Sequence, residues 1–192
     1  MLELITKSKI RQRIILLFIY NQKKEYYLSE IAKLVGASVG TTQRELNKLL
    51  RSDLITFKKK AGLNLYALNK QYPLLDEVES IIRKTIGVEV ELKKELGKIK
   101  EVAFAFLFGS YVKGGFKSDS DIDLMVIGTP EEDRVFKIAQ KAEKAIGREI
   151  SYHLADKSEF LEKLKSSAFY KDIIKNHILL IGDENDFRKI AG

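Results

Sequence analysis

GSYVKGGFKSDSDIDLMV, residues Gly109–Val126, follows the apolar run VAFAFLF (Val102–Phe108) without a break. The order predicts a strand, a glycine-bearing turn or short helix, and a second strand, DIDLMVIG, from Asp121 to Gly128. Gly109 allows backbone to approach a phosphate closely, and Ser110 adds a hydroxyl donor beside the amides of the following helical turn. Lys113 brings a positive charge to the same turn. Asp121 and Asp123 lie two apart at the start of a strand, and a period of two points both carboxylates to one face. Ile122 and Leu124 then face the core. Two hard oxygen donors side by side suit Mg²⁺, which can bridge phosphate oxygens or polarise the α-phosphate for in-line attack. Positioning and charge neutralisation are most of what phosphoryl-type transfer asks of a protein.

Taken together, Gly109–Ser110 and the Asp121-x-Asp123 strand about ten residues later resemble the signature of the polymerase-β-like nucleotidyltransferases. The minimal nucleotidyltransferase group matches best, with Lys113 and Gly114 in its basic-then-glycine positions. The resemblance covers about residues 85 to 190. It implies a mixed sheet flanked by helices, binding of Mg²⁺ and of ATP or another nucleoside triphosphate, and transfer of a nucleoside monophosphate to a protein or small-molecule acceptor. Members of the minimal group include antitoxins that modify a HEPN toxin partner, which gives one reading of the acceptor.

Catalytic members of the family carry a third carboxylate on a later strand. The corresponding strand here is REISYHLAD, Arg148–Asp156, and the aligned position is Ser151, a weak Mg²⁺ ligand and a poor base. Glu149 shares a face with Ser151 by alternation and is the candidate substitute beside Asp121 and Asp123. His153 shares that face too and reads as an ordinary strand residue. Without a substitute, the domain would bind nucleotide with little or no turnover, and the protein would act as a nucleotide-sensing transcriptional regulator.

The first third has a different character. Residues 1–75 hold 14 Lys and Arg against 5 Asp and Glu, a net charge of +9, whereas the remainder carries −2. Such a concentration of positive charge suits a polyanion, because each neutralised phosphate releases condensed counterions. Ile10, Ile14, Leu17 and Phe18 give a first helix its apolar face. A second helix opens at Leu28–Ser29, with Ser29 as cap, and ends at Gly36. Ser38 caps a third, in which Thr42, Leu46 and Leu49 recur at helical spacing. The outward face of that third helix carries Thr41, Gln43, Arg44, Asn47 and Lys48, side chains able to meet base edges and phosphates. The stretch TFKKKAGLNLYALN (Thr56–Asn69) alternates as a hairpin, with Lys58, Lys59 and Lys60 near its tip. LSEIAKLVGASVGTTQRELNKLLRSDLI, Leu28–Ile55, resembles the winged helix-turn-helix of the ArsR and MarR families. That resemblance implies binding of double-stranded DNA, usually as a homodimer, although the metal-sensing cysteines are absent.

The chain has 192 residues, no cysteine and two histidines. Disulfides and thiolate metal sites are therefore excluded, and any metal must be a hard cation on oxygen ligands. The longest apolar run, Ile14–Tyr20, is far below the roughly 18 residues that cross a bilayer, and no signal pattern opens the sequence. A cytoplasmic protein without a membrane partner is expected. The fold class expected is mixed α/β (α+β), in three parts: a winged helix over residues 1–72, linker helices over 73–100 and a nucleotidyltransferase-like domain over 101–192. Within the last, residues 157–192 read as two helices, a strand His177–Ile181 and a helix from Glu184.

Overall fold

The computed structural model describes residues 6–117 and 120–191. Its first elements are α1 (Lys9–Tyr20), β1 (Tyr26–Tyr27), α2 (Leu28–Val35), α3 (Val39–Arg51), β2 (Ile55–Lys60), β3 (Leu63–Leu68) and α4 (Leu75–Thr85). Then come α5 (Val88–Leu96), β4 (Val102–Phe108), α6 (Gly109–Gly114), a 3-10 turn at Gly115–Lys117, β5 (Ile122–Gly128) and α7 (Glu132–Ile146). The chain ends with β6 (Ile150–Ala155), α8 (Lys157–Ser166), α9 (Ala168–Lys175), β7 (Ile178–Ile181) and α10 (Glu184–Ala191). Two compact units result, Met1–Gly87 with Lys144–Gly147, and Val88–Glu143 with Arg148–Gly192.

In the first unit, Ser8 caps α1 through the amide of Arg11, and Ser38 caps α3 through the amide of Thr41, each at 3.2 Å. Each cap satisfies one of the amides a helix start leaves without an internal partner. The start of α2 differs from the expectation. Leu28 is its first residue, and the Glu30 carboxylate reaches back to accept from the amide of Tyr27 at 2.7 Å, so Ser29 lies inside the first turn and is not the cap. Gly36 ends α2 at φ +64°, a left-handed conformation that only glycine adopts without cost. Arg11, from α1, bonds Glu45 of α3 at 2.6 Å and Arg13 donates to the carbonyl of Val35 at 3.0 Å, tying α1 to both later helices. Strands β2 and β3 form an antiparallel hairpin whose two turn residues, Ala61 and Gly62, both have positive φ. That geometry matches the right-handed twist of paired strands.

The second unit is built on a four-stranded mixed sheet in the order β6-β5-β4-β7, antiparallel except for the parallel β5–β6 pair. Register sets what each face carries. Phe108, Phe106 and Phe104 lie opposite Asp123, Met125 and Ile127, and Ser151 and His153 lie beside Asp123 and Met125. Partners in register share a face, so one side of the sheet is aromatic and aliphatic along most of its length and ends in carboxylates. Phe160 of α8, Ile173 of α9 and Phe187 of α10 close over the apolar part. Ile122 and Leu124 point the other way and are fully buried, as alternation requires. The fold is thus mixed α/β, with helices about a mixed sheet.

Candidate functional site

The site forms where β4 gives way to α6 and β5 begins. Gly109 follows β4 at φ +74°. A Cβ there would collide with Asp123 Oδ2 and stand 3.1 Å from Asp123 Cγ. The missing side chain is what lets the carboxylate of β5 lie against the turn. Ser110, the next residue, shares a hydrogen bond between its hydroxyl and that of Ser120, the residue before Asp121. The two halves of the motif, ten residues apart, are therefore joined at both ends. Lys113, at the end of α6, is exposed and paired at 2.7 Å with Asp172 of α9, whose carboxyl it holds below the ordinary carboxylate range.

Asp121 is exposed and Asp123 half-buried. Burial raises the Asp123 carboxyl above its usual value, His153 draws it back, Asp121 adds repulsion and Arg148 again offsets it. Two carboxylates on one face, one of them uncomfortable as a desolvated anion, fit a hard divalent cation. Ser151 is the register partner of Asp123, and its hydroxyl donates to Asp121 Oδ2 at 3.3 Å. A serine hydroxyl, and not a carboxylate, therefore lies on β6 beside the two aspartates. The strand starts later than its sequence suggests: β6 begins at Ile150, and Glu149 precedes it, its carbonyl accepting from the amide of Ile122 at 3.0 Å. One further step of the same register puts Glu149 abreast of Asp121, with its side chain exposed. Among the described residues no three His, Cys, Asp or Glu side chains converge on one metal position.

Arg148, Tyr111 and Glu89 were given no role by the sequence, and all three are buried at this site. The Arg148 guanidinium donates through Nε to the carbonyl of Ser120 at 2.7 Å, and its Nη2 donates to the same oxygen. Its Cζ lies 5.5 Å from the centre of the Tyr111 ring, whose hydroxyl donates to Glu89 at 2.6 Å. No periodicity marks these residues. The one signal available was an arginine at the mouth of the strand that follows the Asp-x-Asp pair. His153, read as an ordinary strand residue, packs its ring 5.7 Å from that of Phe108 and stands close enough to Asp123 to lower its carboxyl.

On the first unit, Thr41, Arg44, Asn47 and Lys48 line a surface groove of α3 together with Glu45 and Arg51. Gln43 is held by neighbours, its Nε2 donating to Asn47 Oδ1 at 3.0 Å and to the Tyr66 hydroxyl at 3.2 Å. Lys58, Lys59 and Lys60 are all exposed, but they lie within β2, so alternation sends Lys59 to the face of Phe57 and Tyr66 and the other two to the opposite face. Lys58 pairs with Glu25 at 2.7 Å. Among the described residues no helix is long and apolar enough to cross a membrane.

The family model described as "Polymerase beta, Nucleotidyltransferase" matches residues 90–186, just over half of the chain. A putative protein adenylyltransferase of Methanocaldococcus jannaschii is 28% identical over 82 residues, which cover 43% of this chain and 78% of that protein. Among solved structures, a toxin–antitoxin crystal structure with AMP-PNP is similar at 26% identity and a TM-score of 0.39, covering 54% of this chain and 80% of that one. A tri-AMPylated Shewanella oneidensis HEPN toxin in complex with MNT antitoxin gives 24% identity and a TM-score of 0.36, covering 54% and 77% respectively. With the matched span running from α5 to α10 and enclosing the whole Gly109–Asp123 site, the chain belongs to the polymerase β nucleotidyltransferase family.

Proposed function

We propose that this protein transfers AMP from ATP to a protein acceptor, an acceptor hydroxyl bonding the α-phosphorus as pyrophosphate leaves, with Mg²⁺ held by Asp121 and Asp123 and the triphosphate lying over Gly109, Ser110 and Lys113. The observation that carries this reading is the approach of Asp123 to Gly109, together with the Ser110–Ser120 bond, which sets two carboxylates against the glycine-serine turn. Bound there, the cation would supply charge neutralisation on the phosphates. Lys113 would exchange Asp172 for a phosphate oxygen, a change of partner that costs little between exposed ions. Glu149, abreast of Asp121, would assist the attacking hydroxyl by accepting its proton. The protein acceptor is supported by the similarity to a putative protein adenylyltransferase. Incubation with α-labelled ATP, Mg²⁺ and a cell extract should label a protein band that disappears with EDTA or with Asp123→Asn. No labelled band under any of these conditions would refute transfer.

A second reading is favoured by Ser151, which occupies the register position beside Asp123 that a carboxylate would need for a three-ligand site. On this reading the domain senses nucleotide without turnover. Calorimetric binding of ATP with no labelled product selects it.

For the N-terminal unit we propose a winged helix that binds double-stranded DNA, α3 entering the major groove and the β2–β3 hairpin following the backbone. Support comes from the local charge of +9 and the polar outer face of α3. The bonds from Tyr66 and Asn47 fix the Gln43 amide in place before any base is met. Mobility shifts across a salt series test it, since phosphate-driven binding weakens steeply as salt rises.

A further inference from the structure

Asp121 is held by its backbone on both sides, and both holds come from one dipeptide. The peptide before Asp121 presents the Ser120 carbonyl, which takes two donors from the Arg148 guanidinium. The peptide after it presents the Ile122 amide, which donates to the carbonyl of Glu149 at 3.0 Å. A residue whose flanking peptides are both pinned has little freedom left in φ and ψ, so the direction of its side chain is set.

Arg148 is itself braced. It is 6% exposed, lies over the Tyr111 ring, and that ring is anchored by its hydroxyl on buried Glu89. The planar fork of arginine serves two roles at once, directing two N–H groups at one carbonyl while its face rests on an aromatic ring; a lysine ammonium in the same place keeps the charge but neither the fork nor the stacking. A buried guanidinium is costly to desolvate, and a merely structural filler of that volume would be apolar.

We infer that Arg148 is a positioning residue for the cation site: through the Ser120 carbonyl and the Tyr111–Glu89 brace it fixes Asp121 beside Asp123. The inference rests on the reading of Asp121 and Asp123 as the cation ligands, and it assigns Arg148 no contact with substrate. Supporting partners of metal-binding carboxylates typically change metal affinity by about 10–100-fold when lost.

The test uses the full-length chain and Mn²⁺ alone, with affinity followed by electron paramagnetic resonance and folding by circular dichroism and thermal melting. Arg148→Lys should fold with a melting temperature close to the parent and bind Mn²⁺ about tenfold more weakly; Arg148→Met should weaken it at least as much. Parent-like Mn²⁺ affinity in folded Arg148→Lys overturns the inference, because a residue that only supports the fold would move the melting temperature and leave the affinity alone. If Arg148→Met does not fold, the lysine variant decides by itself. Failure of the parent protein to bind Mn²⁺ would instead overturn the cation-site reading on which the inference stands.

Discussion

Gly109 and Asp123 occupy the same space: the carboxylate of one lies where the side chain of the other would be. Gly109→Ala therefore meets two obstacles, a left-handed φ that costs an ordinary residue about 1–2 kcal/mol and a clash that must displace the Asp123 carboxylate. Misplacement of a reacting group by about 1 Å can cost on the order of 100-fold in rate. AMP transfer by Gly109→Ala should fall by about that factor, with a loss of about 1–2 kcal/mol in denaturant unfolding. Full transfer activity in this variant would show that the close approach serves no chemical purpose.

Asp123→Asn should separate stability from binding. Burial raises the Asp123 carboxyl, so the ionised form is disfavoured in the folded protein, and the stabilisation that goes with the protonated form is lost as pH rises through the raised value. The amide is neutral throughout. Its melting temperature at pH 7 should equal or exceed that of the parent, while Mn²⁺ affinity drops by more than about tenfold. The parent's own Mn²⁺ affinity should climb with pH across the region just above the ordinary carboxylate range. A flat profile there would contradict a metal-binding Asp123.

Ser151 stands beside Asp123 in register, so Ser151→Asp adds a third carboxylate next to the proposed pair. Mn²⁺ affinity should rise about tenfold, and transfer should accelerate if the acceptor is limited by activation of its hydroxyl. Glu149→Gln should slow transfer by about 100-fold or more, the lower end of what a general base contributes. Unaltered kinetics in Glu149→Gln, combined with a gain in Ser151→Asp, would mean the parent works without a third carboxylate.

Arg44 lies exposed on α3, its guanidinium within 3.4 Å of the Thr41 hydroxyl. Arg44→Ala should weaken DNA binding by about 1–3 kcal/mol if it reads a base, with loss of discrimination at that position. If it contacts a phosphate, weakening should be uniform across sequences and the salt slope should fall by about one. Mobility shifts with several duplexes at several salt concentrations distinguish the two, and an unaffected Arg44→Ala would remove α3 from the interface.

Legibility in the sequence followed range. Ser38, Gly36 and the period of Thr42, Leu46 and Leu49 act within a few residues, and so do Asp121 and Asp123, whose common face needs only the geometry of a strand. The start of α2 differs because Ser29 and Glu30 both offer a local bond at the helix start, and it is Glu30, three residues on, that accepts from the Tyr27 amide. Arg148 was invisible for another reason. Its partners Ser120 and Tyr111 are 28 and 37 positions away, and an isolated arginine before a strand looks like any solvated charge until the sheet pairs β5 with β6. Ser151 likewise reaches Asp121 only through that pairing.

The three phenylalanines of β4 lie on the same side of the sheet as Asp121 and Asp123, and the last of them, Phe108, is directly opposite Asp123. Hydrocarbon beside an ionic site polarises far less than water does, so the field of a carboxylate is weakened less on that side. The row of rings thus forms an apolar flank to the two aspartates, and a cation held there would feel their charge less muted than in open water.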